Sequence, residues 1–545
     1  MTAYLVHHFL AASAARAPGR EALVTHDPGA ARLDYGAVAA AAAAVTAQLG
    51  ALGVGRGDRV ALLAHNGVEW VAAWFGALAA GAIAVPLNTA ADPHSLIHYV
   101  GDAGARVLVV GPRLERVVAQ AGDGLGPLTI ACAPAAVANL ARALPRATVV
   151  ALAAADPEGR AAPAAGAAAP PTLIDLDPAA IIYTSGSTGR PRGAVLTHRN
   201  LVSNVSAIVD YLALGADDRV LALLPFYYVY GLSLLHMTFA AGGAVVVENR
   251  FQYPNVALDT LERERCTGVA GVPSTFAILM NRSTFGERLA DGGLAALAWL
   301  TQAGGGMSPA LTRQVMAAIG GRRLYVMYGA TEASARLAYL PPAELPEAVG
   351  SIGRAIPNLE LTVRDPDGTP CAIDEVGELY ARGSSIMAGY WNDPEETARV
   401  LGPHGYRTGD LARRDAAGRL WVVGRTRDML KVGGHRVAAR EIEDAILEHP
   451  GVHECAVIGI ADELLGDRLR AYVVAREPAA GGATLSDGNE LGRFLKERLP
   501  AYKIPGELVL RADLPKNESG KIMKEALRAE AAAEATTATV PGPRP

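Results

Sequence analysis

The chain is poor in cysteine, in net charge and in unbroken apolar length, and each shortage closes a class of function. Its 545 residues include 4 cysteines. Cys132, Cys266, Cys371 and Cys455 form no C-x-x-C pair and no Cys/His cluster. Neither a disulfide framework nor a zinc site is expected, and a reducing cytoplasm suits such a chain. Lys and Arg number 50 against 55 Asp and Glu, a net charge of -5, so the polybasic patch or tail that nucleic acid demands is missing. Two stretches approach membrane-spanning length with little charge. Residues 71–87 are broken by Gly81 and Pro86, and residues 220–247 by Pro225, Gly231, His236 and the pair Gly242-Gly243. Both read as alternating buried helix and strand, and no membrane span is expected. Residues 1–15 are apolar but have no basic segment, and the core Val6-His-His-Phe-Leu10 is too short and polar for a secretion signal. They read as a first helix.

What the chain does hold is a glycine-rich string, Ser185-Gly-Ser-Thr-Gly-Arg-Pro-Arg-Gly193. Three glycines let main-chain N–H groups close around an anion, the hydroxyls of Ser185, Ser187 and Thr188 add donors, and Arg190 and Arg192 add charge. The string follows an apolar run at residues 179–184, read as a buried strand, and precedes residues 196–210, read as a helix. A strand, loop and helix around such a string make a polyphosphate cradle. A flexible linker seldom sits between two apolar elements. The string lacks the Gly-Lys-Ser/Thr ending of the common phosphate loop, and Gly186-Ser187-Thr188-Gly189 lacks the spacing of a hydrolase nucleophile elbow.

A chain this long divides into about two to four units. Short apolar runs at residues 60–64, 83–87, 106–110 and 148–152 alternate with Ala-rich stretches such as residues 35–49, the pattern of an α/β architecture. Residues 153–171 read as an exposed Ala/Pro/Gly loop and residues 531–545 as a disordered tail. From Val422 the texture changes, through Gly424-Arg-Thr-Arg-Asp428 and Gly433-Gly434 to an amphipathic stretch at residues 439–448 and a strand-like run at 456–460. The boundary falls near residue 426. The expected layout is a large N-terminal domain of several subdomains with mixed sheets, residues 1–425, and a small mobile α+β lid, residues 426–530. A lid serves enzymes that must shield a reactive intermediate from water.

Five strings in order, Tyr183 to Gly193, Tyr328-Gly-Ala-Thr-Glu332, Tyr406-Arg-Thr-Gly-Asp410, Gly424-Arg425 and Pro515-Lys-Asn-Glu-Ser-Gly-Lys521, resemble the signatures of the adenylate-forming superfamily, which includes acyl-CoA synthetases. The resemblance runs over residues 4–528. It implies activation of a carboxylic acid by ATP and Mg2+ to acyl-AMP with release of pyrophosphate, then transfer to a thiol. By the same resemblance, Ser185, Gly186, Ser187, Thr188 and Gly189 hold the β- and γ-phosphates, Thr184 belongs to the ATP site, and Arg192 stands where the family has lysine. Thr331 contacts the α-phosphate and Glu332 takes magnesium. Asp410 accepts the ribose hydroxyls, with Arg425 as a second contact. Adenine lies along Gly304, Gly305 and Gly306, with Tyr328 stacked on it beside Gly329. Lys521 bridges the acyl oxygen and the α-phosphate, supplying positive charge where two anions meet.

For the second step the resemblance implies a hinge at Arg427, a pantetheine tunnel past Gly433 and Gly434, and Arg436 near a CoA phosphate. Tyr228 stands where acyl-CoA synthetases commonly carry a gating histidine, and cannot bring an imidazolium's charge. With Tyr230, Gly231, Val272, Ser274, Thr275, Gly329 and Ala335 it walls the acyl pocket. None of these side chains is cationic, which points to a fatty or aryl acid. CoA is the expected acceptor, since no insertion like that of fatty acyl-AMP ligases lies between Ile352 and Gly389. Loading of a carrier protein's phosphopantetheine stays open, as do a homodimer and a scaffold that has lost catalysis.

Overall fold

Apolar runs with no polar alternation become strands only where both faces are covered, and the computed structural model buries them that way. It describes residues 3–26, 30–153, 171–184, 191–426, 429–432, 435–462, 466–476, 485, 488–516 and 522–538. Among these residues, β1 (Pro178–Thr184) pairs antiparallel with β2 (Arg192–Thr197), with Ile181 opposite Val195. They extend a parallel set formed by Ile83–Pro86, Arg59–Leu63, Val107–Val110, Thr129–Cys132 and Thr148–Ala151. The short strand Gly389–Tyr390 closes the far edge on β2. The expected strand, loop and helix is therefore a hairpin followed by a helix. The apolar run Ala194, Val195 and Leu196 pairs with β1, and the helix α1 (His198–Leu212) begins only after it. A reciprocal cap sets that start: the Thr197 hydroxyl accepts from the Asn200 N–H, and the Asn200 side chain accepts from the Thr197 N–H.

A second sheet, of nine strands, carries α2 (Val229–Ala241) between Arg219–Ala222 and Ala244–Val247, and continues through Gly268–Gly271 and Trp299–Gln302 to β3 (Arg323–Tyr328). These strands run parallel, whereas the edges Ala31–Asp34, Ala338–Leu340 and Arg354–Ala355 are antiparallel. A third sheet holds Leu359–Arg364, Gly377–Gly383, β4 (Gly405–Arg414) and β5 (Leu420–Arg425). The largest core joins the first two sheets. It contains the stacked pair Trp70 and Trp74 at 5.2 Å, with His236 against Trp74. No helix among the described residues is long and apolar enough to cross a membrane.

The fourth sheet belongs to the C-terminal part: Met429–Val432, His435–Ala438, Val452–Asp462, Gly466–Ala475 and Glu507–Arg511. Against it α3 (Ala439–Leu447) buries Ala439, Ile442 and Ile446, the apolar face read from the sequence. Mixed α/β architecture with a large N-terminal and a small C-terminal domain is thus established. The tail expected to be disordered from residue 531 is instead helical through Ala538, in Lys524–Ala538. Ala531 is buried on the sheet, and Glu534 accepts from Arg470 at 2.6 Å, so the alanines are held by packing and charge that composition alone does not reveal. Within the expected loop at 153–171, residues 154–170 lie outside the described set.

Candidate active site

The ends of three sheets meet around two carboxylates. Asp410 on β4 stands in register with Arg425 on β5, and the guanidinium Nε reaches its Oδ1 at 2.8 Å. From the end of β3 the Tyr328 hydroxyl donates to the other oxygen, Oδ2, at 2.5 Å. Burial and the charge of Asp410 hold the Tyr328 phenol well above its ordinary range, so it stays a donor. Asp410 is buried, as a carboxylate is only when such partners meet it.

Glu332 sits in the single turn Thr331–Ala333 that follows β3. Its main-chain carbonyl accepts from the Met387 N–H at 2.8 Å, and its Oε1 accepts from the Tyr390 hydroxyl at 2.7 Å. Tyr390 arrives there because Gly389–Tyr390 pairs with β2, opposite Ala194. Burial and the Glu332 charge raise the Tyr390 phenol too. A third phenol, the buried Tyr406, is raised by burial and then by Glu332, Tyr390, Tyr328 and Asp410. Tyr406 thus lies near both Glu332 and Asp410 and ties the two carboxylates to one neighbourhood. Oε2 of Glu332 has no hydrogen-bond partner among the described residues. A free carboxylate oxygen beside buried phenols fits a hard cation such as magnesium.

The expected phosphate-loop residues Ser185, Gly186, Ser187, Thr188 and Gly189 lie outside the described residues, as do Arg427, Gly433, Gly434 and Lys521. Their flanks are defined. Thr184 ends β1 and its hydroxyl donates to the Arg192 carbonyl at 3.4 Å. Arg192 itself opens β2, where its Nη1 donates to Glu396 at 2.7 Å and its Nε lies 3.6 Å from Asp393. The charge expected to face phosphate is engaged by acids next to Tyr390, over whose ring it lies at 5.9 Å. Arg436 is placed by its main chain in His435–Ala438, opposite Lys431.

The glycine triplet follows the strand Trp299–Gln302. Gly304 has a φ of +80°, where glycine is at ease, and the Gly305 carbonyl accepts from Gln302 at 2.7 Å. The Arg440 guanidinium of α3 covers Gly306 so closely that a Cβ there would collide with it. A cation of the C-terminal domain therefore lies directly on the segment expected to carry adenine.

Of the expected acyl wall, Tyr230 is anchored by its hydroxyl, which donates to the Thr301 carbonyl at 3.1 Å, and burial pushes its phenol up to about 12. Tyr228 caps the start of α2 with its ring against that of Tyr227. Val272 packs on Gly304, joining the acyl wall to the glycine triplet. Gly231 and Gly329 instead permit close backbone approach, since a Cβ would collide with the Pro225 carbonyl at the first and the Ala335 carbonyl at the second. The Thr275 hydroxyl accepts from the Val272 N–H at 3.2 Å at the start of Pro273–Arg282, whereas Ser274 is exposed. Behind these residues stands a side chain that the sequence does not single out. Arg336, next to Ala335, is fully buried and lies 5.4 Å from the Tyr230 ring centroid. Tyr390, Tyr406 and Glu396 were likewise unassigned. Tyr406 opens the string that ends at Asp410, but Tyr390 and Glu396 reach the site through strand pairing and leave no local signal.

Residues 10–391 match the family model described as AMP-binding enzyme, and residues 441–521 match AMP-binding enzyme C-terminal domain. The chain is 34% identical to a feruloyl-CoA synthase of Amycolatopsis sp over 501 residues, 91% of this chain and 93% of that protein. It is 33% identical to a sulfoacetate–CoA ligase of Cupriavidus necator over 523 residues, 94% of this chain and 96% of that one. Among solved structures it resembles ATP-bound MatB from Rhodopseudomonas palustris, with a TM-score of 0.81, 28% identity and coverage of 96% and 98% of the two chains.

Proposed function

The chain belongs to the AMP-binding enzyme family of adenylate-forming acid:thiol ligases, and on that footing we propose how its own residues divide the reaction. The enzyme is an AMP-forming ligase. A carboxylate oxygen attacks the α-phosphorus of ATP, pyrophosphate leaves, and the thiol of CoA then displaces AMP from the acyl carbon.

The observation that carries the assignment of roles is the pair of phenol clamps on the two carboxylates. Tyr328 and Arg425 fix Asp410, which accepts the ribose hydroxyls, and Tyr390 fixes Glu332. Glu332 would hold magnesium, and the ion, when bound, would offset phosphate charge. Thr331 meets the α-phosphate. Thr184 and the loop Ser185, Gly186, Ser187, Thr188 and Gly189 grip the departing pyrophosphate, and Lys521 stabilises the charge that gathers as carboxylate and phosphate meet. Adenine lies on Gly305 and Gly306 against Tyr328 and Gly329. Because Arg440 covers Gly306, the base needs the C-terminal domain to move. That domain begins after residue 425, turns at Arg427, and then presents Gly433, Gly434 and Arg436 to the thiol. The four cysteines are buried and unpaired, in keeping with a cytoplasmic setting.

The acid is fatty or aryl. Tyr228, Tyr230, Val272 and Ala335 present aromatic and aliphatic surface, and one relative named above is a feruloyl-CoA synthase. CoA is the acceptor, with a carrier-protein pantetheine as the second reading on the same chemistry. Pyrophosphate release measured over a panel of carboxylic acids, with and without CoA, tests both. Acid-dependent release together with a CoA thioester is expected. Release without any thioester would transfer the acceptor role to a carrier protein, and no release with any acid would remove the catalytic assignment.

A further inference from the structure

Arginine is almost never fully buried unless an acid meets it. Arg336 is fully buried, and every group that it meets is neutral. Its Nη1 donates to the Tyr211 hydroxyl at 2.9 Å, and its Nη2 lies 3.5 Å from the Ser233 hydroxyl and 3.9 Å from the Met237 sulfur. Its Nε has no partner among the described residues. Burial raises both the Tyr211 and the Tyr230 phenols, so neither ionises to balance the guanidinium. No carboxylate of the described residues forms an ion pair with it, whereas the other buried arginine, Arg470, has Glu507 and Glu534.

The backbone is bent to put it there. Ser334 and Ala335 take φ values of +62° and +118°, a region that side chains other than glycine avoid, and Ala335 cannot relieve the strain with a polar side chain. The bend lays the Ala335 carbonyl on Gly329 and sends the next side chain inward, under the ring of Tyr230. α1 holds the bend from behind, with the Asn204 side-chain amide donating to the Arg336 carbonyl at 2.7 Å. A strained, externally braced turn thus delivers an uncompensated cation to the wall assigned to the acyl group.

We propose that Arg336 receives a second acidic group at the far end of the acyl substrate, so that the preferred acid carries one carboxylate for activation and another anion for recognition. The inference rests on the acyl-wall assignment above and narrows it: an aryl or alkyl body lies against Tyr230, and its distal carboxylate or sulfonate supplies the charge that Arg336 lacks. Such a group restores the missing ion pair and satisfies the orphaned Nε. A neutral acid leaves both unmet, a penalty that discriminates strongly in a closed site.

The test uses the full chain with ATP, Mg2+ and CoA, and matched acids: 3-phenylpropanoate against its 4-carboxy and 4-sulfo derivatives, and hexanoate against adipate. In at least one set the doubly acidic member is expected to show a kcat/KM for AMP formation at least tenfold above its neutral partner, and the carboxy and sulfo arms identify which anion is held. Arg336→Met is expected to lower that ratio at least tenfold, and Arg336→Lys to lower it less. Preference for the neutral acid in both sets, or a ratio unchanged in Arg336→Met, overturns the proposal. Melting temperatures of the unmutated protein with each acid decide the matter if the variant does not fold. A larger rise with the doubly acidic member supports the assignment, and equal or smaller rises refute it. AMP formation from none of these acids would count against the acyl-activation reading, while the melting temperatures would still judge Arg336.

Discussion

At the residue scale, the two carboxylates are held by phenols whose own ionisation is suppressed. Tyr390 donates to Glu332 at 2.7 Å and stays a donor because burial and the adjacent charge raise its pKa. Tyr390→Phe removes one hydrogen bond to a charged acceptor, worth about 1.5 kcal/mol or more. The KM for magnesium-ATP is therefore expected to rise about tenfold, with a matching rise in the magnesium concentration giving half-maximal rate. Steady-state kinetics over a magnesium titration check this, and an unchanged magnesium dependence would take Tyr390 out of the metal-binding side of the site. Glu332 and Asp410 could be read from the sequence because each ends a compact string whose chemistry is local. Tyr390, 58 residues beyond Glu332 in the chain, could not. Its position follows from a two-residue strand at a sheet edge, and such a strand has no pattern of its own. Arg336 was hidden for another reason: an arginine is expected to be exposed, and only the strained turn before it sends it inward.

At the scale of elements, burial made the parallel strands legible and blurred their ends. The runs near residues 60, 83, 107 and 148 each became a strand, since a strand covered on both faces reads as continuous apolar sequence. The same continuity concealed the join between β2 and α1, because apolar residues run through it, and only the Thr197 and Asn200 cap marks the break. Charge fastens the sheet edge at Ala31–Asp34. Glu264, at the end of the helix Pro254–Arg263, has a side chain only 2% exposed and accepts from Arg32 at 2.7 Å and Arg219 at 3.2 Å. Removing a buried acid from such a cluster leaves cations unmatched. Glu264→Ala is expected to destabilise the protein by about 3 kcal/mol, reduced from the upper range because Arg32 can turn to water. Urea unfolding followed at Trp299 of that sheet checks it, and a loss below about 1 kcal/mol would show that solvent does most of the screening.

At the scale of the whole molecule, the N-terminal helix His8–Arg16 and the half-buried His7 before it dock against the buried histidines His198 and His236. His198 accepts from the Val6 N–H at 3.1 Å, and burial lowers its pKa to about 4 and those of His7 and His236 to about 3. The folded values lie below the unfolded value of 6.5, so the unfolded chain binds more protons in acid. Their stabilising contribution is complete above pH about 6.5 and is lost as pH falls towards about 4. Each histidine adds a slope approaching about 1.4 kcal/mol per pH unit across that window. Urea midpoints at pH 7.5, 6.0 and 5.0 should fall steadily, before most carboxylates titrate, and a flat profile over that range would contradict the buried, neutral state. The α/β class and the C-terminal domain were legible as texture, but how the sheets face one another was not, because contacts between distant strands leave no periodicity. That arrangement has a mechanical side. Tyr328, Asp410 and Thr184 belong to three separate sheets, so a nucleotide touching all three would act as a rivet, and its departure would slacken the joints between whole layers of the protein.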